Sequence, residues 1–287
     1  MNNATVIPFR RQRDFSEVLN ATFAFLRQML KPLAKYYAFL ITPFIALESL
    51  ISGIFGLSLG FMGGSGQNTT SAITGMFLYY LAYYITTIVV TAYINSFIVL
   101  YMDHGGANFT INDINRLIKK YFWKLFFGML FIGVIIILSL FFFFIPGIFL
   151  GIVLSLFGIV LIREQNGVVN AFSRCFDLVM GNWWQTFFIL AVSSLIAGVF
   201  NLGLQLPQYA VLFLVKFHST KAVMGGGYQI LITIMTFIVG VATRFLGLIP
   251  EIASAFQYFN LVEKKELVGL FERIDRIKTS AAGAELN

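Results

Sequence analysis

Residues 125–162 contain no ionisable side chain, reading LFFGMLFIGVIIILSLFFFFIPGIFLGIVLSLFGIVLI. A stretch this long and this apolar has few destinations. The hydrocarbon core of a bilayer is about 30 Å thick and takes roughly 20 helical residues at about 1.5 Å each. The run therefore holds two crossings, one at about 123–144 and one at about 148–162, with Pro146-Gly147 as the link. So short a link forces an antiparallel hairpin. The rest of the chain is of the same kind. It is 58% hydrophobic and only 11% charged, whereas soluble domains are about 45–50% apolar and about 25% charged. The expected class is an all-α integral membrane protein.

Four more segments reach crossing length, at about 36–59, 73–101, 183–203 and 228–261. They give six transmembrane helices in three hairpins. Residues 228–261 are too long for one straight crossing, and Pro250 is expected to kink them. Segment 204–227 is apolar in AVLFLV yet carries Lys216, His218 and Lys221; it reads as an external connection lying partly on the membrane.

Before each hairpin stands a segment too charged to cross. In residues 14–30, Phe15, Val18, Leu19, Thr22, Phe23, Leu26, Met29 and Leu30 follow helical spacing, with Glu17, Asn20 and Arg27 on other faces. Asp14 and Glu17 form a capping-box pattern, and Pro32 marks the turn into the first span. Residues 110–122 repeat the device, with Thr110 and Asp113 at cap and N3. Residues 166–180 repeat it again, with Val168, Val169, Phe172, Phe176, Val179 and Met180 on one side and Gly181 as the stop. These are expected to be amphipathic helices lying in the interface. A single six-span domain over 1–262 is followed by a charged tail, 263–287, in which Leu267, Leu270, Phe271 and Ile274 keep helical spacing.

The net charge of +7 is explained by where the basic residues stand. Seventeen of the twenty Lys and Arg fall on one side of this topology and two on the other, with Arg244 inside a span. By the positive-inside rule both termini are cytoplasmic. The chain is then expected to be a multi-pass membrane protein, and anionic lipid headgroups rather than nucleic acid are the expected partners. Protein partners or a homo-oligomer are compatible with this. The start, MNNATVIPFRRQRDF, lacks the apolar core and small-residue cleavage site of a removed signal peptide, so the N-terminus is expected to be retained.

Few residues offer chemistry. His104 and His218 are isolated, and Cys175 has no His partner nearby, so no metal, cofactor or thiol catalysis is expected. The glycines of FMGGSGQNTTS lack the strand-to-helix setting, and the Gly-Lys-Ser/Thr, of a phosphate cradle. Gly147, Gly151 and Ser155, then Gly158, form a small-residue stripe expected to serve helix packing.

Three ionisable residues lie inside spans: Glu48 in the first, Arg244 and Glu251 in the sixth. An ionised group at the bilayer centre costs roughly 2.5–3.5 kcal/mol on translocon-based scales, which makes these candidates for a polar intramembrane site. Arg244 and Glu251 are seven residues apart, on one face of a continuous helix and about 10 Å apart along it. The plainer reading is a structural ion pair between spans, or charges that snorkel.

Taken together, residues 145–190 (IPGIFLGIVLSLFGIVLIREQNGVVNAFSRCFDLVMGNWWQTFFIL) resemble the membrane domain of glycerophosphoryl diester phosphodiesterase membrane-domain proteins. The shared pattern is a Pro-Gly hairpin, a span, an acidic residue and glycine, an Ala-Phe-x-Arg helix, then Gly-Asn before an aromatic. The end, FQYFNLVEKKELVGLFERI, is similar to the tails of membrane proteins from Bacteroidetes. The resemblance implies a multi-helix membrane fold. In the named enzymes a separate soluble barrel carries catalysis, and this chain has no His-Arg-Gly motif or acidic metal-binding cluster, which argues against phosphodiesterase activity.

The expected function is non-enzymatic: a membrane subunit or lipid-associated accessory of an envelope process. The alternative is a small transporter or lipid-translocating permease using Glu48, Arg244 and Glu251. A water-accessible cavity reaching Glu48 or Glu251 would favour the alternative, and a filled interior with an exposed apolar groove would favour the subunit.

Overall fold

A computed structural model describes residues 7–55, 69–142, 144–165, 167–217 and 227–284. Among the described residues every regular element is helical. Helices α1 (Phe15–Leu40), α2 (Thr42–Ile54), α3 (Thr69–Asp103), α4 (Ile111–Phe142) and α5 (Phe144–Leu154) are followed by α6 (Phe157–Glu164), α7 (Val168–Val179), α8 (Trp183–Phe217), α9 (Gly227–Leu246) and α10 (Leu248–Ala284). Five helical stretches are long and apolar enough to cross a membrane, or six when the bent pair α1–α2 counts as one. The protein is therefore an all-helical, multi-pass membrane protein.

The bundle is built round α3. Every residue from 88 to 101 on this helix is buried, as expected of a helix that is apolar on all sides. Helices α2, α4, α6 and α10 pack around it, and α8 and α9 close the far side against α10 and α2. Long apolar side chains such as Phe141 and Ile145 face outward, each 80% exposed, as lipid-facing residues do.

Several boundaries differ from the sequence reading. Pro32 does not end the first helix; α1 runs through it. A proline inside a helix costs about 3 kcal/mol, but Val18, Thr22, Phe25, Met29, Leu33 and Tyr37 form one buried stripe across it, and that packing outweighs the penalty. The break comes at Ile41, where the axis bends by 51° and Pro43 sits in the first turn of α2. Likewise residues 110–122 are not a separate interfacial helix. Ile114, Ile118, Tyr121, Leu125 and Gly128 continue one buried stripe into the apolar run, so nothing interrupts α4. The cap was read correctly: Asp113 Oδ2 accepts from the Thr110 backbone N–H at 2.9 Å and from its hydroxyl at 2.8 Å. Only α7 stands alone. Its buried face is Ala171, Cys175, Leu178 and Val179, and Gly181 follows it at φ +83°, where an L side chain would be strained.

The fourth span is split at Ser155-Leu156 into α5 and α6, and the sixth is split at Gly247 into α9 and α10. Pro250 lies in the first turn of α10, where its missing N–H has no intrahelical partner to lose. Residues 204–217 are not an external connection; α8 runs through Pro207 to Phe217. Helix α10 carries on from the span into the charged tail without a break up to Ala284. The loop FMGGSGQNTTS lies mostly outside the described residues, as do His218 and Lys221.

The N-terminal segment is folded into the bundle. Phe9 stacks on Phe256 with centroids 4.2 Å apart and meets Phe25, Tyr101 and Phe259 edge-on. The Arg13 backbone N–H donates to Asn260 Oδ1 at 2.8 Å. Arg13, read as one of the headgroup-facing cations, turns inward instead: its guanidinium donates to the carbonyls of Phe9 at 2.9 Å, Arg11 at 3.4 Å, and Pro8, and lies over the Phe256 ring. Arg10 and Arg11 stay exposed.

Candidate functional site

Glu48 and Arg244 meet. Arg244 Nη2 donates to both carboxylate oxygens of Glu48 at 3.3 Å, and its Nη1 donates to Thr87 Oγ1 at 2.9 Å. The guanidinium also lies 3.9 Å from the centroid of Tyr83, close enough for a cation–π contact. Glu48 is buried, 6% exposed. The pair joins α2, α3 and α9, and it satisfies two of the three predicted charges by one another.

Glu251 is held apart from them. The seven-residue spacing from Arg244 crosses the local turn at Gly247, yet both side chains face α3 and line one cavity, Arg244 at Thr87 and Glu251 one turn further on at Thr91. Glu251 accepts from Thr91 Oγ1 at 3.2 Å, with Asn95 as a second side-chain partner. No ion pair involves Glu251 among the described residues. The two split spans also touch here. The Ser254 hydroxyl donates to the carbonyl of Ser155 at 3.1 Å, taking up a backbone acceptor freed by the break between α5 and α6.

Two cavities converge on this carboxylate. One of about 250 Å³ is lined mainly by apolar groups of α4, α5 and α6, among them Met129, Ile132, Gly133 and Gly151, together with Ser155 and Gly158. The other, about 340 Å³, is lined by Tyr83, Thr87, Asn201, Thr243 and Arg244 among others. Thr91 and Glu251 line both. Asn201 is a further polar wall residue, and its buried Oδ1 has no hydrogen-bond partner. A larger cavity, about 400 Å³, lies at another place, between Arg13, Asp14, Glu17, Gln185 and Lys264; its opposite charges balance and its guanidinium is already saturated by carbonyls.

The small-residue stripe divides its work. A Cβ on Gly147 would come within 2.6 Å of the Leu140 side chain and 3.0 Å of its backbone nitrogen, and one on Gly158 within 2.7 Å of Thr91 and 2.9 Å of Asn95. At those two glycines the missing side chain leaves room for close neighbours. Gly151 meets only Ile136, at 4.0 Å, and Gly133 meets nothing, so their missing side chains leave room in the apolar cavity. The packing reading thus fits one half of the stripe and cavity lining the other.

The contribution of α3 was missed in the sequence. Tyr83, Thr87, Thr91 and Asn95 recur every four residues, which puts them on one face of a helix. That face supplies a contact to Arg244, a contact to Glu251 and the wall between the cavities. The period was there to be seen inside an otherwise apolar span.

The charged residues around α7 form a separate network. Arg174 Nε donates to Glu164 at 2.9 Å and Nη2 to Glu266 at 3.2 Å, Tyr258 donates to Glu164 at 3.0 Å, and Arg163 pairs with Asp103 at 2.6 Å. The motif-like residues Arg163, Glu164 and Arg174 therefore tie helix ends together. Cys175 is fully buried, and burial, with Glu164 nearby, pushes its thiol up to about 12. It is not a nucleophile in this state.

Among the described residues no three His, Cys, Asp or Glu side chains are grouped to hold a metal ion. No family model, curated protein or solved structure matches the chain.

Proposed function

We propose that the protein is a small membrane transporter or permease whose substrate site is built around Glu251. The observation that carries this is a buried carboxyl with no ion-pair partner among the described residues, lining two cavities where two spans with local turns, at Ser155-Leu156 and at Gly247, pack together. Irregular backbone inside a span is tolerated where it is buried in protein or lines a cavity, and transport sites make use of it. An ionisable residue in that position is expensive to keep and is by default functional. The pair of Glu48 and Arg244 fits a structural role beside it, as a clasp between α2 and α9.

The reading as an accessory subunit rests on a filled interior with an exposed apolar groove, and the two cavities weigh against it. Six crossings in three hairpins, with α7 and the starts of α1 and α4 toward the cytoplasm, remain our proposal for the topology. It is supported by the packing of α2 on α3, α4 on α5, and α8 on α9. The distribution of basic residues supports cytoplasmic termini in an inner membrane. Anionic lipids suit the exposed arginines of that face.

The test needs no substrate. In a Cys175→Ser background, Thr91→Cys places one thiol in the wall shared by both cavities. A site that opens alternately to the two sides reacts with a membrane-impermeant maleimide added to either face of oriented vesicles. Labelling from neither face, or from one face alone, contradicts transport.

A further inference from the structure

Resting on the transport reading, we infer that the substrate is a small hydrophobic amine, its ammonium group held by Glu251 and its apolar part in the cavity between α4, α5 and α6. Charge decides the head. Among the described residues the fixed positive charge lining either cavity is Arg244, already committed to Glu48, Thr87 and Tyr83, while Glu251 has hydroxyl and amide partners and no ion pair. A lone buried carboxyl keeps its proton until a cation arrives, and a ligand that binds its ionised form brings one positive charge. An anionic substrate would meet Glu251 unscreened, and a divalent ion would find a single carboxylate where such ions take several oxygen ligands. Shape decides the tail. The cavity on the α4 side is walled by Met129, Ile132, Leu154 and Phe157 and by glycines whose missing side chains keep it open. An inorganic cation or a hydrated polar amine gains nothing from that wall, whereas an alkyl or aryl group buried there gains about 25 cal/mol per Å² of apolar surface. Size decides the source. Cavities of about 250 and 340 Å³ lie at the lower edge of the roughly 300–1,000 Å³ of small-ligand sites and are too small for a two-chain phospholipid, so the amine is a free molecule rather than a lipid headgroup.

The test is binding of radiolabelled octylamine to the purified full-length protein in nanodiscs of phosphatidylglycerol and phosphatidylcholine, with unlabelled competitors. The expected result is saturable binding that octylamine and octyltrimethylammonium displace, that propylamine displaces at least tenfold less well, and that octanol and octanoate do not displace. Glu251→Gln weakens binding at least tenfold. Gly133→Leu projects into the apolar cavity from a position where a Cβ meets no atom within 4 Å, and abolishes binding in a protein that folds, so the inference stays testable if Glu251→Gln misfolds. Equal competition by octanoate or octanol, or binding unaffected by Gly133→Leu, overturns it. Loss of octylamine binding on adding phosphatidylethanolamine to the nanodiscs also overturns it, in favour of a lipid headgroup. Because the readout is binding, its failure is distinguishable from failure of transport, which the thiol-accessibility experiment reads.

Discussion

Breaking the Glu48–Arg244 pair one charge at a time, and then both together, measures what holds α2 against α9. The two side chains are 8% and 16% exposed, so the effective dielectric is nearer 20 than that of water. Charge centres about 4 Å apart then attract by about 4 kcal/mol. Removing one partner of a buried pair costs about 3–5 kcal/mol, because the other is left uncompensated. Glu48→Gln should fall at the low end of that range, since Arg244 keeps Thr87 and the face of Tyr83. Arg244→Gln should fall at the high end, since among the described residues Arg244 is the hydrogen-bond partner that Glu48 has. The double variant loses the attraction but leaves no stranded charge, so it should cost about 4 kcal/mol rather than the roughly 8 of simple addition, a coupling of about 4 kcal/mol. Equilibrium unfolding of the full-length protein in mixed micelles, titrated with a denaturing detergent, gives the four free energies. Additive losses, with the double variant as unstable as the sum of the singles, would show that the two charges do not act on one another and would remove the clasp from the argument.

Phe9→Ala should destabilise the bundle by about 3–5 kcal/mol in the same unfolding assay, a large effect for a residue so near the start. Gly158→Ala pushes a methyl group against Thr91 and Asn95 and should cost about 1–3 kcal/mol as overpacking does, with binding at Glu251 weakened in parallel. An effect on stability alone would mean that the Thr91–Asn95 face does not shape the site. Cys175 should resist maleimide at pH 8 in the folded protein, because its thiol is pushed up to about 12 and only a small thiolate fraction exists below that pH; alkylation at the rate of a free thiol refutes its burial. Glu164→Gln should cost about 1 kcal/mol or less, since the Arg174 network is partly solvated, and the loss should shrink in high salt.

The class of fold was legible because a bilayer imposes one rule on every span, and runs such as 125–162 satisfy it in only one way. Helix ends were less legible. Pro32 and Pro43 look alike in sequence, yet only the second coincides with a break, because the buried stripe from Val18 to Tyr37 carries α1 across the first. That stripe is defined by what α10 and α3 press against it, which no local pattern contains. The same holds for the site. Composition pointed to Glu48, Arg244 and Glu251, but that two of them neutralise each other while the third stands alone depends on where α2 and α3 meet the break at Gly247. Thr87, Thr91 and Asn95 went unremarked since threonine and asparagine in a span bond equally well to the preceding turn, as Thr86 does to Ala82 at 2.9 Å.

The strap formed by residues 7–14 sets an order of events during synthesis. Its docking partners Phe256, Phe259 and Asn260 are made some 247 residues later, so the strap is synthesised well before the helix that completes its site. Until α10 is inserted, Phe9 has only Phe25 and Tyr101 to pack on, and the Arg13 backbone N–H lacks its acceptor on Asn260. Assembly of this bundle therefore includes a late long-range step, and a chain stalled before α10 would leave the Phe9 ring without the stacking partner that Phe256 provides.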